Sequence, residues 1–265
     1  MIRLGFPIID IHTHLRNNIP LHTKIAKESG IDIVVYMANC FPPLDNLKAI
    51  KKSLKEKRYC RAIPVSAITK NLEGEKPVDV DKIKPYVAGF SDDGKCLNDL
   101  EILKHILSKN VLVSVHLEPE IEMLKKYLDV YSKTGGLLHF QHISRKESID
   151  LIRLAKRDGF KITCETCPHY FTYSKDDLEV KVNPPLAKKE DILAIKKGLA
   201  DGTIDVIASD YAPLPRKTGI AGFRSFLPLS YGLVLEKVLT ENQLKEKLFL
   251  NPKRIIESGG YKIKI

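Results

Sequence analysis

Eight short runs rich in apolar and β-branched residues recur along this 265-residue chain, and they constrain it more than any other feature. They are PIIDIHTH (7–14), IDIVVYMAN (31–39), RAIPVSAI (61–68), YVAGFSDD (86–93), VLVSVHLE (111–118), LLHFQHIS (137–144), KITCETCPHY (161–170) and DVIASDYAP (205–213). Amphipathic helical stretches separate most of them, at 45–57, 98–109, 119–133, 146–158, 188–200 and 222–238. Segment 69–85 reads as mostly loop. Alternating strand and helix patterns argue for parallel strands joined by crossover helices, and eight such units close into a barrel. The sequence therefore predicts an α/β chain folded as one (β/α)8 TIM-type barrel domain over residues 1–265.

Composition removes several function classes. No stretch approaches the roughly 18–20 uninterrupted apolar residues of a membrane helix, and no basic leader with an apolar segment opens the chain. Five scattered cysteines (Cys40, Cys60, Cys96, Cys164, Cys167) read as reduced thiols of a cytoplasmic protein and not as a disulfide framework. The net charge of +10 raises the question of nucleic acid. Yet the lysines alternate with glutamates on helical faces at 48–58 and 239–249, and no nucleic-acid-binding signature is present. A positive balance also attracts a small anionic substrate, which is the reading adopted.

Titratable residues gather at the ends of the runs: His12, His14, Asn39, Asp92, Asp93, His116, Glu118, His142, His169 and Asp210. In a barrel those ends converge on one face. Alternation on the first strand sets Asp10, His12, His14 and Arg16 on one side, with Ile9, Ile11, Thr13 and Leu15 on the other. Two imidazoles together on an inner face are costly unless a ligand compensates them. One buried histidine is more often a core residue, but six candidate donors at strand ends point to metal. His12, His14, His116 and His142 with Asp93 and Asp210 suit two Zn2+ ions sharing a carboxylate. Asp92 and Asp93 point to opposite sides of a strand, so only one of them can serve.

These residues carry a family resemblance. DIHTHLR (10–16) resembles the D-x-H-x-H-x-R signature of the dihydroorotases, in the amidohydrolase superfamily. VVYMANCFPPLDN (34–46), AGFSDDG (88–94) and VHLEPE (115–120) resemble further segments of that family, in order. So do the segments 142–171 and 182–213. The resemblance implies a bacterial-type metal centre with Asp93 bridging, and Asp210 both binding metal and shuttling protons. It implies that Arg16, Asn39 and Asn183 hold substrate, and that a loop near Thr218, Gly219 and Gly222 touches it through its backbone. The implied reaction is the reversible cyclisation of N-carbamoyl-L-aspartate to L-dihydroorotate, in pyrimidine biosynthesis.

Three departures qualify that expectation. Where the family has T-D-H-A-P-H the chain reads SDYAPL, so Tyr211 and Leu214 replace two histidines, and Arg216 is a candidate replacement donor for the substrate carboxylate. MANC replaces M-P-N-T, with Asn39 kept. Relatives carry a small β-sandwich, whereas a bare barrel is expected here, with its exposed surface open to a second copy or to aspartate carbamoyltransferase. Asp10, His139 and His169 are read as supporting residues behind the metal, and His22 and His105 as surface residues. Two rivals remain: a hydantoinase- or allantoinase-like activity, and a catalytically silent paralogue serving as a structural partner. Aspartates at 92 and 93, in place of a suitably placed lysine, speak against the first; six intact donors speak against the second.

Overall fold

The computed structural model describes residues 4–213 and 218–264. Seven strands follow one another in chain order: β1 (Ile9–Thr13), β2 (Ile33–Tyr36), β3 (Arg61–Pro64), β4 (Leu112–Val115), β5 (Leu137–Phe140), β6 (Thr163–Thr166) and β7 (Val206–Ile207). All neighbouring pairs are parallel. The circuit closes through three parallel bridges. Phe90 pairs with Ser66 beyond β3 and with Val113 of β4, while Tyr211 pairs with Thr13 of β1.

Run 86–93, expected as a strand, therefore takes the fourth place in the barrel through a single bridged residue. Its backbone still bonds to both sides, Phe90 N to Leu112 O at 2.8 Å and Ser91 N to Ser66 O at 2.8 Å. The ladder does not extend because Asp92 turns aside to cap Ile68 N and Thr69 N at 2.8 and 3.1 Å.

The expected helices form at Leu47–Leu54, Leu100–Leu107, Glu120–Thr134, Lys146–Arg157, Lys189–Ala200 and Phe223–Leu235. A further helix, Ile19–Glu28, follows β1 and is capped by Asn18, which accepts from Leu21 N. Segment 69–85 holds short turns, Lys70–Leu72 and Val80–Ile83, and runs into a third, Lys84–Tyr86.

Two apolar layers fix which face of each strand looks inward. Val34, Tyr36, Val113, Val115, Leu138 and Phe140 pack outward under the helices. Ile9, Ile11, Ile33, Val35, Ile63 and Val206 fill the barrel, plugged at its lower end by Ile255, Ile256 and Ile263. By alternation, Ser114, His139 and Glu165 lie on the inner face of β4, β5 and β6.

The first strand breaks the simple alternation. Ile9 pairs with Ile33 and Asp10 with Val34, but Thr13 pairs with Tyr36, so β1 carries one extra residue between Asp10 and Thr13. That bulge re-aims the chain, letting Ile11 stay in the inner core while His12 turns to the site above it. The expected common face of Asp10, His12, His14 and Arg16 is thus corrected. Strand pairing ends at Thr13, and Arg16 sits in the left-handed region at φ 49°. Among the described residues no β-sandwich accompanies the barrel, and no helix is long and apolar enough to cross a membrane.

Candidate metal centre

At the C-terminal end of the barrel lies an open cavity of about 870 Å³. Its wall includes His14, Arg16, Asn39, Asp93, His116, His142, Asn183, Asp210 and Gly219. His12 lies just beneath, fully buried. The six donors fall into two triads, His12–His14–Asp210 and Asp93–His116–His142, each with its ligand atoms within 4.8 Å of one another. Asp93 stands between the triads. Its Oδ1 is 3.3 Å from His12 Nε2 and its Oδ2 is 3.3 Å from His14 Nε2. Asp92 faces away and serves the backbone at 68–69, so of the adjacent pair only Asp93 faces the centre.

Unpaired buried atoms test whether a metal fits. His12 Nε2, Asp93 Oδ1 and His142 Nδ1 have no hydrogen-bond partner among the described residues. A buried polar atom left so costs roughly 1–3 kcal/mol, and three such atoms on residues of the two donor triads are a pattern that cations can satisfy. Nitrogen and carboxylate donors in this ratio suit zinc.

The electrostatics agree. Burial works against a charged His12, but the carboxylates of Asp93, Glu165 and Asp210 overcome it and raise its pKa well above the ordinary value. Asp93 is pulled the other way: burial would raise it, yet His12 and His14 hold it far below the carboxylate range. Asp210 is lowered to about 2 against its burial, chiefly by His12 and His14. His142 is depressed to about 3 by burial and by the neighbouring His116 and His12. The centre thus sets the carboxylates of Asp93, Glu165 and Asp210 around His12, an arrangement that attracts positive charge.

Several supporting residues escape a reading of the sequence. Glu165 on β6 accepts from His12 Nδ1 at 2.5 Å and from His139 Nε2 at 3.2 Å. It thereby fixes the His12 ring with Nε2 toward Asp93, the part expected of Asp10. Asp10 instead ties β1 to the end of β7, accepting from Ser209 N at 3.0 Å, and burial raises its pKa to about 7. The inward parity of Glu165, opposite to that of Cys164, is a signal that would have found it. Glu118 and Lys181 also reach the cavity wall.

The substrate-side residues have mixed placements. Arg16 reaches the wall and donates from Nη1 to Pro213 O at 2.7 Å. Asn39 Oδ1 is 3.0 Å from His14 Nδ1. Asn183 Nδ2 donates to Glu118 Oε2 at 2.7 Å and lies 3.2 Å from His116 Nε2. Gly219, at φ 127°, lines the cavity, and a Cβ there would stand 2.6 Å from that of Ala212. Gly222 is not on the wall; its carbonyl starts the helix Phe223–Leu235 by accepting from Phe226 N. Arg216 and Leu214 lie outside the described residues. His22 is not a free surface residue, since its Nδ1 bonds Tyr211 Oη at 2.9 Å.

Arg16, His142 and Asp210 are all non-glycine residues at positive φ (49°, 36° and 46°). Backbone held in that sparsely populated region clusters at functional sites.

No family model matches the chain. A curated protein named dihydroorotase from Trichlorobacter lovleyi is 32% identical, covering 97% of this chain and 74% of its own length. A dihydroorotase from Geotalea daltonii is 34% identical over 94% of this chain and 72% of its own. Among solved structures, an L-hydantoinase from Arthrobacter aurescens superposes with a TM-score of 0.85 at 19% identity, covering 94% of this chain and 70% of that one.

Proposed function

This chain belongs to the dihydroorotase family, and we propose that it catalyses the reversible cyclisation of N-carbamoyl-L-aspartate to L-dihydroorotate. The observation that carries the proposal is the convergence of six donors, three of them with orphaned atoms, at the floor of a cavity with Arg16 on its wall. Zinc is the metal this donor set favours, as two ions, one per triad, with Asp93 between them. Bound there, a divalent ion polarises a carbonyl and acidifies water.

The chain's own residues do the rest. Arg16 offers a planar fork to a substrate carboxylate. Asn39, whose Oδ1 is engaged by His14, lies on the cavity wall within reach of a substrate oxygen. Asn183 is held in place by Glu118. Asp210, ionised at neutral pH, takes a proton on its carboxylate and returns it to the ring nitrogen that leaves on hydrolysis. The protein partner in this reading is a second copy or aspartate carbamoyltransferase.

The test is turnover by zinc-loaded protein in both directions, beside hydantoin and allantoin as competing substrates. We expect activity on carbamoyl-aspartate and dihydroorotate. Arg16→Ala should raise KM roughly 10–100-fold, the loss of a charged hydrogen bond. Tightly bound zinc with no turnover, even with aspartate carbamoyltransferase added, would overturn the proposal.

A further inference from the structure

Asp210 belongs to two donor triads, and the proposed function uses one. The other joins it to Cys167 and His169, with ligand atoms again within 4.8 Å of one another. Both residues come from the turn where β6 gives way to the short helix Pro168–Thr172. Cys167 is a buried free thiol, and His169 is only 5% exposed. His169 Nε2 has no hydrogen-bond partner among the described residues, although the ring lies 4.1 Å from that of Tyr170. Packing alone does not call for an imidazole here, because an orphaned buried nitrogen costs what an apolar side chain would not.

We propose that Cys167 Sγ, His169 Nε2 and one carboxylate oxygen of Asp210 form an additional site for a thiophilic divalent cation, Cd2+ or Zn2+ in excess. Thiolate, imidazole and carboxylate together match the preferences of these ions. The Asp210 carboxylate supplies negative charge beside the thiol and the imidazole, as a cation requires. As the metal–sulfur bond forms, the thiol proton passes to water, and no oxidant or reductant is involved.

Neither Cys167 nor His169 lines the cavity, whereas Asp210 does, so the ion enters past Asp210. Sharing that carboxylate couples the sites. An ion on Cys167 and His169 draws Asp210 away from the proton-carrying part it has in the proposed function. Excess metal then inhibits. The inhibition rests on that reading, but the site itself does not.

The experiment is a titration of zinc-loaded protein, freed of unbound metal, with Cd2+. It follows ultraviolet thiolate-to-cadmium charge transfer together with the bound cadmium and retained zinc. We expect one added equivalent of cadmium with a charge-transfer band and no zinc released. Cys167→Ser should abolish the band, and His169→Gln should weaken the added equivalent about 10–100-fold. Cys96→Ser, at a partly exposed thiol, should leave both unchanged. No band in the wild type, or a band that survives Cys167→Ser, overturns the proposal. Should Cys167→Ser fail to fold, cadmium NMR of the wild type decides: a resonance with one sulfur donor supports the site, and all-nitrogen/oxygen resonances refute it. Absence of turnover with a positive cadmium result would sink the activity and leave the site standing.

Discussion

Glu165 makes the most specific claim at the scale of a residue. A carboxylate behind a metal-binding imidazole fixes its ring and tautomer, and losing it typically costs 10–100-fold in metal affinity. Glu165→Gln should lower zinc affinity by about that factor in a chelator competition, and unchanged affinity would show that His12 is oriented some other way. His169 gives a pH dependence with a definite sign. Burial lowers its pKa from 6.5 to about 4, so the folded protein resists its protonation. Its contribution to stability is present above about pH 6.5 and is lost as pH falls through about 4. The shift corresponds to roughly 3 kcal/mol at most. The urea midpoint of the metal-free wild type should fall relative to His169→Gln between pH 7 and pH 4, and a constant gap would contradict the assignment.

Adjacent aspartates with opposite duties test the arrangement at the scale of an element. Asp92 accepts from Ile68 N, Thr69 N and Thr69 Oγ1, joining the fourth barrel position to the chain beyond β3. Asp92→Ala leaves two buried backbone donors unpaired and should destabilise the fold by about 2–4 kcal/mol, with zinc content unchanged. Asp93→Ala should instead lower zinc content, which Asp92→Ala leaves intact. Metal analysis beside urea denaturation separates the two, and matched effects of both variants would refute the division. The same element explains why 86–93 reads as a strand yet pairs through one residue. Its apolar run is real, but Asp92 spends its carboxylate on neighbouring loop backbone, which turns the chain out of the ladder.

For the molecule as a whole, the metal centre and the barrel are one energetic system. His12 and His14 come from the end of β1, His116 from just after β4, His142 from just after β5 and Asp210 from beyond β7, so a bound ion ties together segments distant in sequence. Any ligand that binds only the folded state stabilises it, by about 4 kcal/mol at a thousandfold excess over Kd. Removing zinc should accordingly lower Tm by several degrees, recovered on adding zinc back. A Tm indifferent to zinc in a protein that binds it would mean that the centre forms independently of strand closure.

The sequence by itself determined the barrel and singled out the six candidate donors that gather at one end of it. Strand and helix periodicities are local, and a parallel barrel brings every strand end to one face whatever the details of register. Tertiary structure decided which side chains complete the centre. The bulge in β1 replaces simple alternation, because one added residue reverses the facing of everything after it. Glu165 replaces Asp10 as the partner of His12 because the inner face of β6 meets β1 across the barrel, a contact that no local pattern encodes. Asn183 lies against Glu118, and Gly222 starts a helix beside the site without lining it, for the same reason. Spacing along the chain says which residues can face inward, and only packing across the barrel says which of them meet.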